Sequence, residues 1–248
     1  MKRMIIGLLL IPTMLFCMDE CEHKAYVVSL GSNCRGAFFA RYYKIRSFAL
    51  PFDWCLTPYR SLYSLIQHDF KSFFDKEFLV PARQCHDAYI LKFLKEMGVY
   101  AAATQYSSEW VFNSVSGMLF NHDFSTNTPT VIQKQYASNH AKYMRRIERF
   151  YKVMNAGKHI YLIRYLDITK SEACEFCDLI KRKFPHADFT LIVVGSDVEQ
   201  FGGDWQIPHI KNFAVDPKTL RLYGDEQATL AVVGAPWANI YTMIMNES

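Results

Sequence analysis

One cysteine in this chain stands where a reactive thiol would be built. In "AYVVSLGSNCRGAFFARYY", residues 25–43, an apolar β-branched run stops at Gly31, a Ser-Asn turn follows, and Cys34 opens the next segment. If that segment is a helix, its first turn offers unpaired N–H groups and the positive end of a dipole, and both favour thiolate over thiol. The same amides would receive an oxyanion if Cys34 attacked an acyl carbon. Cysteine is also among the most frequently buried residues, so a tight strand–helix contact is the competing role. A base has to decide between the two. His122, in "GMLFNHDF", sits after an apolar run in a polar turn, and His209, in "GDWQIPHI", is the second candidate. His68 and His140 have the settings of ordinary helix residues. The acid that would orient an imidazole is Asp53, in "PFDW", or Asp123, next to His122. Neighbours on an extended chain point to opposite sides, which favours Asp53.

Other chemistries fail on their own motifs. "GSNCRG" has the outer glycines of a phosphate loop, but Ala37 and Phe38 replace its Lys and Ser/Thr. Neither strong strand is followed by Gly-x-Gly-x-x-Gly. Cys174 and Cys177 form Cys-x-x-Cys without a second pair at zinc spacing, which reads as packing. No metal or organic cofactor is expected. Trp54, Trp110, Trp205 and Trp237 are too scattered for a stacking platform. The net charge of +4 over 248 residues is not gathered into one basic run, so nucleic-acid binding is disfavoured.

The elements that must position these residues are legible in outline. "YVVSL" (26–30), "HIYLIRYL" (159–166) and "FTLIVVGSD" (189–197) read as buried strands, all three central to the sheet. Ser32 or Asn33 would cap the helix at Cys34, and a short helix should start after Pro58. Short strands are expected in "EWVFNSVSGMLF", within an aromatic, irregular stretch from 70 to 130. The strongest helix covers about 134–155, with Tyr136, His140, Tyr143, Met144, Ile147, Phe150, Tyr151 and Met154 on one stripe. Thr169 and Glu172 form a capping box before "SEACEFCDLIKRKF". A last apolar segment, "ATLAVVGAPW", lies near the C-terminus. Apolar strands alternating with amphipathic helices predict an α/β three-layer sandwich with a mainly parallel sheet. The candidate nucleophile then lies at the carboxyl end of the first strand, where open α/β sheets place ligands.

At the N-terminus, Lys2 and Arg3 precede an apolar run from Met4 to Phe16, followed by Asp19 and Glu20. That run suits an export signal over residues 1–17 and is too short to span a membrane. A single α/β domain over 22–248 and a periplasmic or secreted location follow as expectations, or a cytoplasmic one if the segment is no signal. Removing residues through Cys17 would leave six of the seven cysteines, scattered unlike a small stapled scaffold.

In order along the chain, "SLGSNC", "PFDW", "FNHDF", "RRIERF" and "YLIRY" resemble a bacterial family of uncharacterised domains designated papain-like cysteine peptidases. The likeness runs from about Ala25 to Trp205. It implies Cys34 as nucleophile, His122 as base, and a peptide or other acyl substrate. The chain lacks the glutamine that familiar papain-like enzymes carry just before the nucleophile. The arrangement is also similar to SGNH-type hydrolases, whose base lies near the C-terminus; there Asp204 and His209 are the matching residues, at the wrong spacing. Other transferase chemistry and a non-catalytic ligand-binding domain are the remaining alternatives.

Overall fold

In the computed structural model, the residues described are 25–46, 48–97, 99–100, 110–124, 129–166, 168–215 and 226–247. The N-terminal apolar run and the proposed export signal lie outside them. In chain order the strands are β1 (Ala25–Ser29), β2 (Cys55–Leu56), β3 (Leu79–Pro81), β4 (Val111–Asn113), β5 (Leu119–Phe120), β6 (His159–Tyr165), β7 (Phe189–Gly195) and β8 (Ile210–Ala214). The helices are α1 (Arg35–Tyr42), α2 (Tyr59–Gln67), α3 (Ala88–Glu96), α4 (Pro129–Met154), α5 (Lys170–Lys183), α6 (Val198–Phe201) and α7 (Glu226–Glu247).

The expected α/β architecture is present. Strands β1, β6, β7 and β8 form an all-parallel sheet in that order. Strands β6 and β7 are central as expected, whereas β1 takes an edge. Alternation along the strands feeds two cores. Val28, Ile160, Leu162, Leu191 and Val193 pack with Phe150 and Val153 of α4 and Phe176 and Ile180 of α5. Their neighbours Val27, Tyr161, Ile163, Ile192 and Val194 pack with Phe39 of α1 and Trp237 and Tyr241 of α7. A sheet buried on both faces needs near-continuous apolar strands, which explains why β6 and β7 are so readable.

The stretch from 70 to 130 is more ordered than its sequence announces. Strands β2, β5, β4 and β3 form a second, antiparallel sheet of two- and three-residue strands. An aromatic cluster backs it: Phe74 and Phe120 lie 4.8 Å apart edge to face, and Phe74 stacks on Tyr143 of α4 at 4.8 Å. Helix α3 went unread, although Asp87 caps it by accepting from the amides of Tyr89 and Ile90. The capping box of α5 forms as expected, with Thr169 and Glu172 reciprocally bonded. On α4 the apolar stripe holds except at Met144, which is exposed. Among the described residues no helix is long and apolar enough to cross a membrane.

Candidate active site

The turn between β1 and α1 is held in a conformation the chain would not choose freely. Gly31 has φ +78° and Ser32, a non-glycine residue, φ +65°. Such consecutive left-handed residues persist only where surroundings enforce them. Ser32 is fully buried and its hydroxyl donates to the carbonyl of Tyr165 at the end of β6. Asn33 Oδ1 accepts from the Arg35 amide at 2.9 Å, satisfying a first-turn donor from the position just before the N-cap. Cys34 then stands at the N-cap position of α1, half-buried.

Gly31 is where this turn meets the "PFDW" loop. A Cβ at Gly31 would lie 2.6 Å from Thr57 Oγ1 and 3.4 Å from the Phe52 Cβ. Gly31→Ala therefore faces both a left-handed backbone and a buried clash. It is expected to destabilise by about 2–4 kcal/mol in urea unfolding. Gly157 provides the comparison, since it has φ +70° but nothing within 4 Å. Its alanine variant should lose only about 1 kcal/mol.

The residue that joins these segments is Arg164, which no sequence motif flagged as functional. It lies on β6 with no exposure. Nη1 donates to the Leu30 carbonyl and Nη2 to the Thr57 carbonyl, each at 2.7 Å. One guanidinium thus pins the end of β1 and the end of the "PFDWCLT" segment together. A charged residue inside an otherwise apolar strand, "IYLIRYL", is the signal that could have found it.

Asp53 is fully buried, and its Oδ2 is committed to Arg46 Nη1 at 2.5 Å and the Leu50 amide at 2.7 Å. Among the described residues no histidine hydrogen-bonds to it. Burial raises its carboxyl to about 6, outweighing Arg46, the Leu50 amide and Arg146. A group whose folded value exceeds its unfolded one near 3.8 gives stability that is fully present below pH 4 and lost as pH rises through 6. The stability difference between wild type and Asp53→Asn should therefore shift against wild type by up to about 3 kcal/mol between pH 4 and 6, and flatten above pH 7. A difference moving the other way would show the Arg46 pairing to be dominant.

His122 is exposed on the turn after β5, edge-on to Trp54 with ring centres 6.2 Å apart. Arg46 lies over the other ring system of this corner, 5.6 Å from the Trp54 centroid. The amide nitrogen of Asn121 lies 3.0 Å from His122 Nε2, so Asn121, and neither aspartate, is the side chain on the imidazole. Asp123 faces inward instead, accepting from Tyr143 at 2.6 Å and Lys142 at 2.5 Å. The "GSNC", "PFDW" and "NHDF" segments therefore share one corner, linked through Gly31–Thr57 and Trp54–His122. No hydrogen bond joins Cys34 to a histidine among the described residues.

The thiol itself departs from expectation. Burial pushes the Cys34 thiol up, against the smaller opposite pulls of its own backbone amide and Arg35. A helix start lowers a thiol only when water also reaches it. His209 is in the wrong place for the alternative mechanism. It precedes β8, level with Val27 through the parallel register and three strand spacings, roughly 14 Å, from β1. There its ring stacks on Phe189 and its Nδ1 lies 3.3 Å from the Phe189 carbonyl, while Asp204 accepts from the Gln206 amide. Cys174 and Cys177 are free thiols on α5, the latter buried, and among the described residues no group of His, Cys, Asp or Glu could hold a metal ion.

A family model described as "Putative papain-like cysteine peptidase (DUF1796)" matches residues 25–197, ending short of Trp205 but containing all five motifs. The "Uncharacterized protein R408" of Acanthamoeba polyphaga mimivirus is 28% identical over 138 residues, 55% of this chain. The aligned part spans 60% of that relative's own length. This relative is viral, whereas the resemblance read from the motifs was to a bacterial family. No solved structure matches the chain.

Proposed function

This chain belongs to the family described as "Putative papain-like cysteine peptidase (DUF1796)", and we propose that it hydrolyses peptide or related acyl bonds with Cys34 as nucleophile and His122 as base. The observation that carries the proposal is the strained, pinned turn that presents Cys34 at the start of α1. Gly31, Ser32 and Arg164 fix that turn against the "PFDWCLT" segment, whose Trp54 packs edge-on to His122. Strain kept at such a place is a mark of pre-organisation.

In the reaction, His122 takes the thiol proton as Sγ attacks the acyl carbon. A thiol raised by burial is deprotonated as it attacks, so the base is essential and not an accessory. The Arg35 amide is occupied by Asn33, so the oxyanion falls to the other amides at the start of α1. The C–N bond then breaks, the amine leaves with the proton from His122, and water hydrolyses the thioester. Asn121 orients the imidazole, and Asp53 with Arg46 holds the "PFDW" loop under Trp54.

Hydrolysis of fluorogenic peptides under reducing conditions tests this reading. Turnover should be lost after alkylation and fall by about 10²–10⁴ in His122→Ala. Turnover that ignores both treatments would sink the proposal. Residues 1–17 we take as an export signal ahead of the 22–248 domain, placing the protein outside the cytoplasm. N-terminal sequencing from expressing cells should find the segment removed; an intact Met1 in the cytoplasm would overturn export.

A further inference from the structure

A cavity of about 450 Å³ opens beyond the carboxyl ends of β6 and β7, next to the pinned turn but lined by neither Cys34 nor His122. Its volume lies within the range of ligand sites, and its position is where parallel sheets hold ligands. One wall is a continuous face of α3, with Tyr89, Phe93 and Glu96 in helical spacing; the floor is Leu166, Ile168 and Phe201. Contacts tie this cavity to the corner already described. Leu166 follows the Tyr165 whose carbonyl receives Ser32, and Tyr59, two residues beyond Thr57, donates to the Glu172 carbonyl on the rim.

The lining has the profile of a site for a cation on an apolar stem. Its charged groups are Lys92 against Glu96, Glu172 and Asp197; Lys92 pairs with Glu96 at 3.7 Å, so Glu172 and Asp197 leave carboxylates in excess. Asp197 spends one oxygen on the Glu199 and Gln200 amides, and Glu172 spends one on Thr169. These carboxylates are spread around the rim, too far apart to form a metal site. At the rim, Tyr89 already takes a cation on its face: the Arg60 guanidinium lies 4.4 Å from the ring centroid. An aromatic wall, an apolar floor and dispersed carboxylates match an aliphatic chain ending in a positive charge.

We infer that this cavity is the specificity pocket of the Cys34 site and takes a lysine or arginine side chain of a peptide substrate. The inference rests on the peptidase reading for its substrate but not for its test. The test measures binding of two uncleavable peptides, identical except for one Lys or norleucine, to full-length Cys34→Ala protein by calorimetry. The lysine peptide should bind about three- to tenfold tighter at low salt, the preference shrinking as salt is raised towards 0.5 M. The pair Glu96→Gln and Asp197→Asn should reduce it to below about twofold; asparagine keeps the α6 cap, so the fold is preserved. Equal affinities, or a preference untouched by salt and by both substitutions, would overturn the inference. A clear preference in a protein whose wild type hydrolyses nothing would instead remove the peptidase reading and leave the cavity only as a site for a lysine or arginine side chain.

Discussion

Replacing Cys34 with alanine is expected to lower peptide hydrolysis by at least about a thousandfold while leaving the fold intact. The loss is large because none of the other thiols among the described residues opens a helix as Cys34 does. Cys55 is buried, with its sulfur 3.1 Å from the Tyr143 hydroxyl, and Cys85 and Cys177 are buried too. The structural cost is small because the side chain is short, half-buried and, among the described residues, makes no hydrogen bond to another side chain. Stability should change by less than about 1 kcal/mol. Cys34→Ser adds a second reading of the same claim: an alcohol is a far poorer nucleophile at neutral pH, so the serine variant should also be nearly inactive. A structural role for Cys34 gives the opposite pattern, with hydrolysis unchanged and thermal stability reduced. Alkylation adds a pH signature. Because burial raises the thiol, iodoacetamide should modify Cys34 of the unliganded protein slowly at neutral pH and faster as the solution becomes alkaline.

Arg164→Met should be the most damaging substitution away from the reacting atoms. It removes two charge-assisted hydrogen bonds and leaves the carbonyls of Leu30 and Thr57 without those donors inside the core. Each such loss is worth about 1.5–3 kcal/mol, so roughly 3–6 kcal/mol of stability should go. If the variant folds, its kcat should fall more than its KM changes, because the turn carrying Cys34 and the loop carrying Trp54 lose their common tie. Arg164→Lys keeps the charge but not the fork, and one ammonium cannot span both carbonyls with the same geometry. Lysine should therefore recover part of the stability and little of kcat. Equal recovery of both would mean that Arg164 serves the core alone.

What the sequence disclosed and what it concealed separate along physical lines. Strands β6 and β7 were readable because burial on both faces demands an unbroken apolar run. The capping box at Thr169 and Glu172 was readable because both halves of the device lie within four residues. Strands β4 and β5 fall inside "EWVFNSVSGMLF", where short strands were expected, whereas β2 and β3 were hard to see because two or three residues carry no periodicity; the sheet is backed by the aromatic packing of Phe74, Phe120 and Tyr143. The edge position of β1 is also invisible locally, since its partners are chosen more than a hundred residues away. At the site, Cys34 and His122 could be nominated by type and neighbourhood. Asp53 was nominated on strand geometry, but its carboxylate closes on Arg46 and Leu50, a local turn contact that alternation cannot reveal. The role of Asn121 on the imidazole is a contact between chain neighbours in a turn, where the rule of opposite sides does not hold.

Mapping the adduct of a peptidyl vinyl sulfone tests the central claim most directly. This electrophile adds slowly to a free thiolate and far faster where a bound peptide and a base bring the reaction about, and intact-mass and peptide analysis then locate it. The account predicts one adduct per chain, on Cys34, formed at neutral pH far faster than simple alkylation and abolished in His122→Ala. Labelling of the half-buried Cys174 in place of Cys34, or labelling of Cys34 at the same rate without His122, would contradict it.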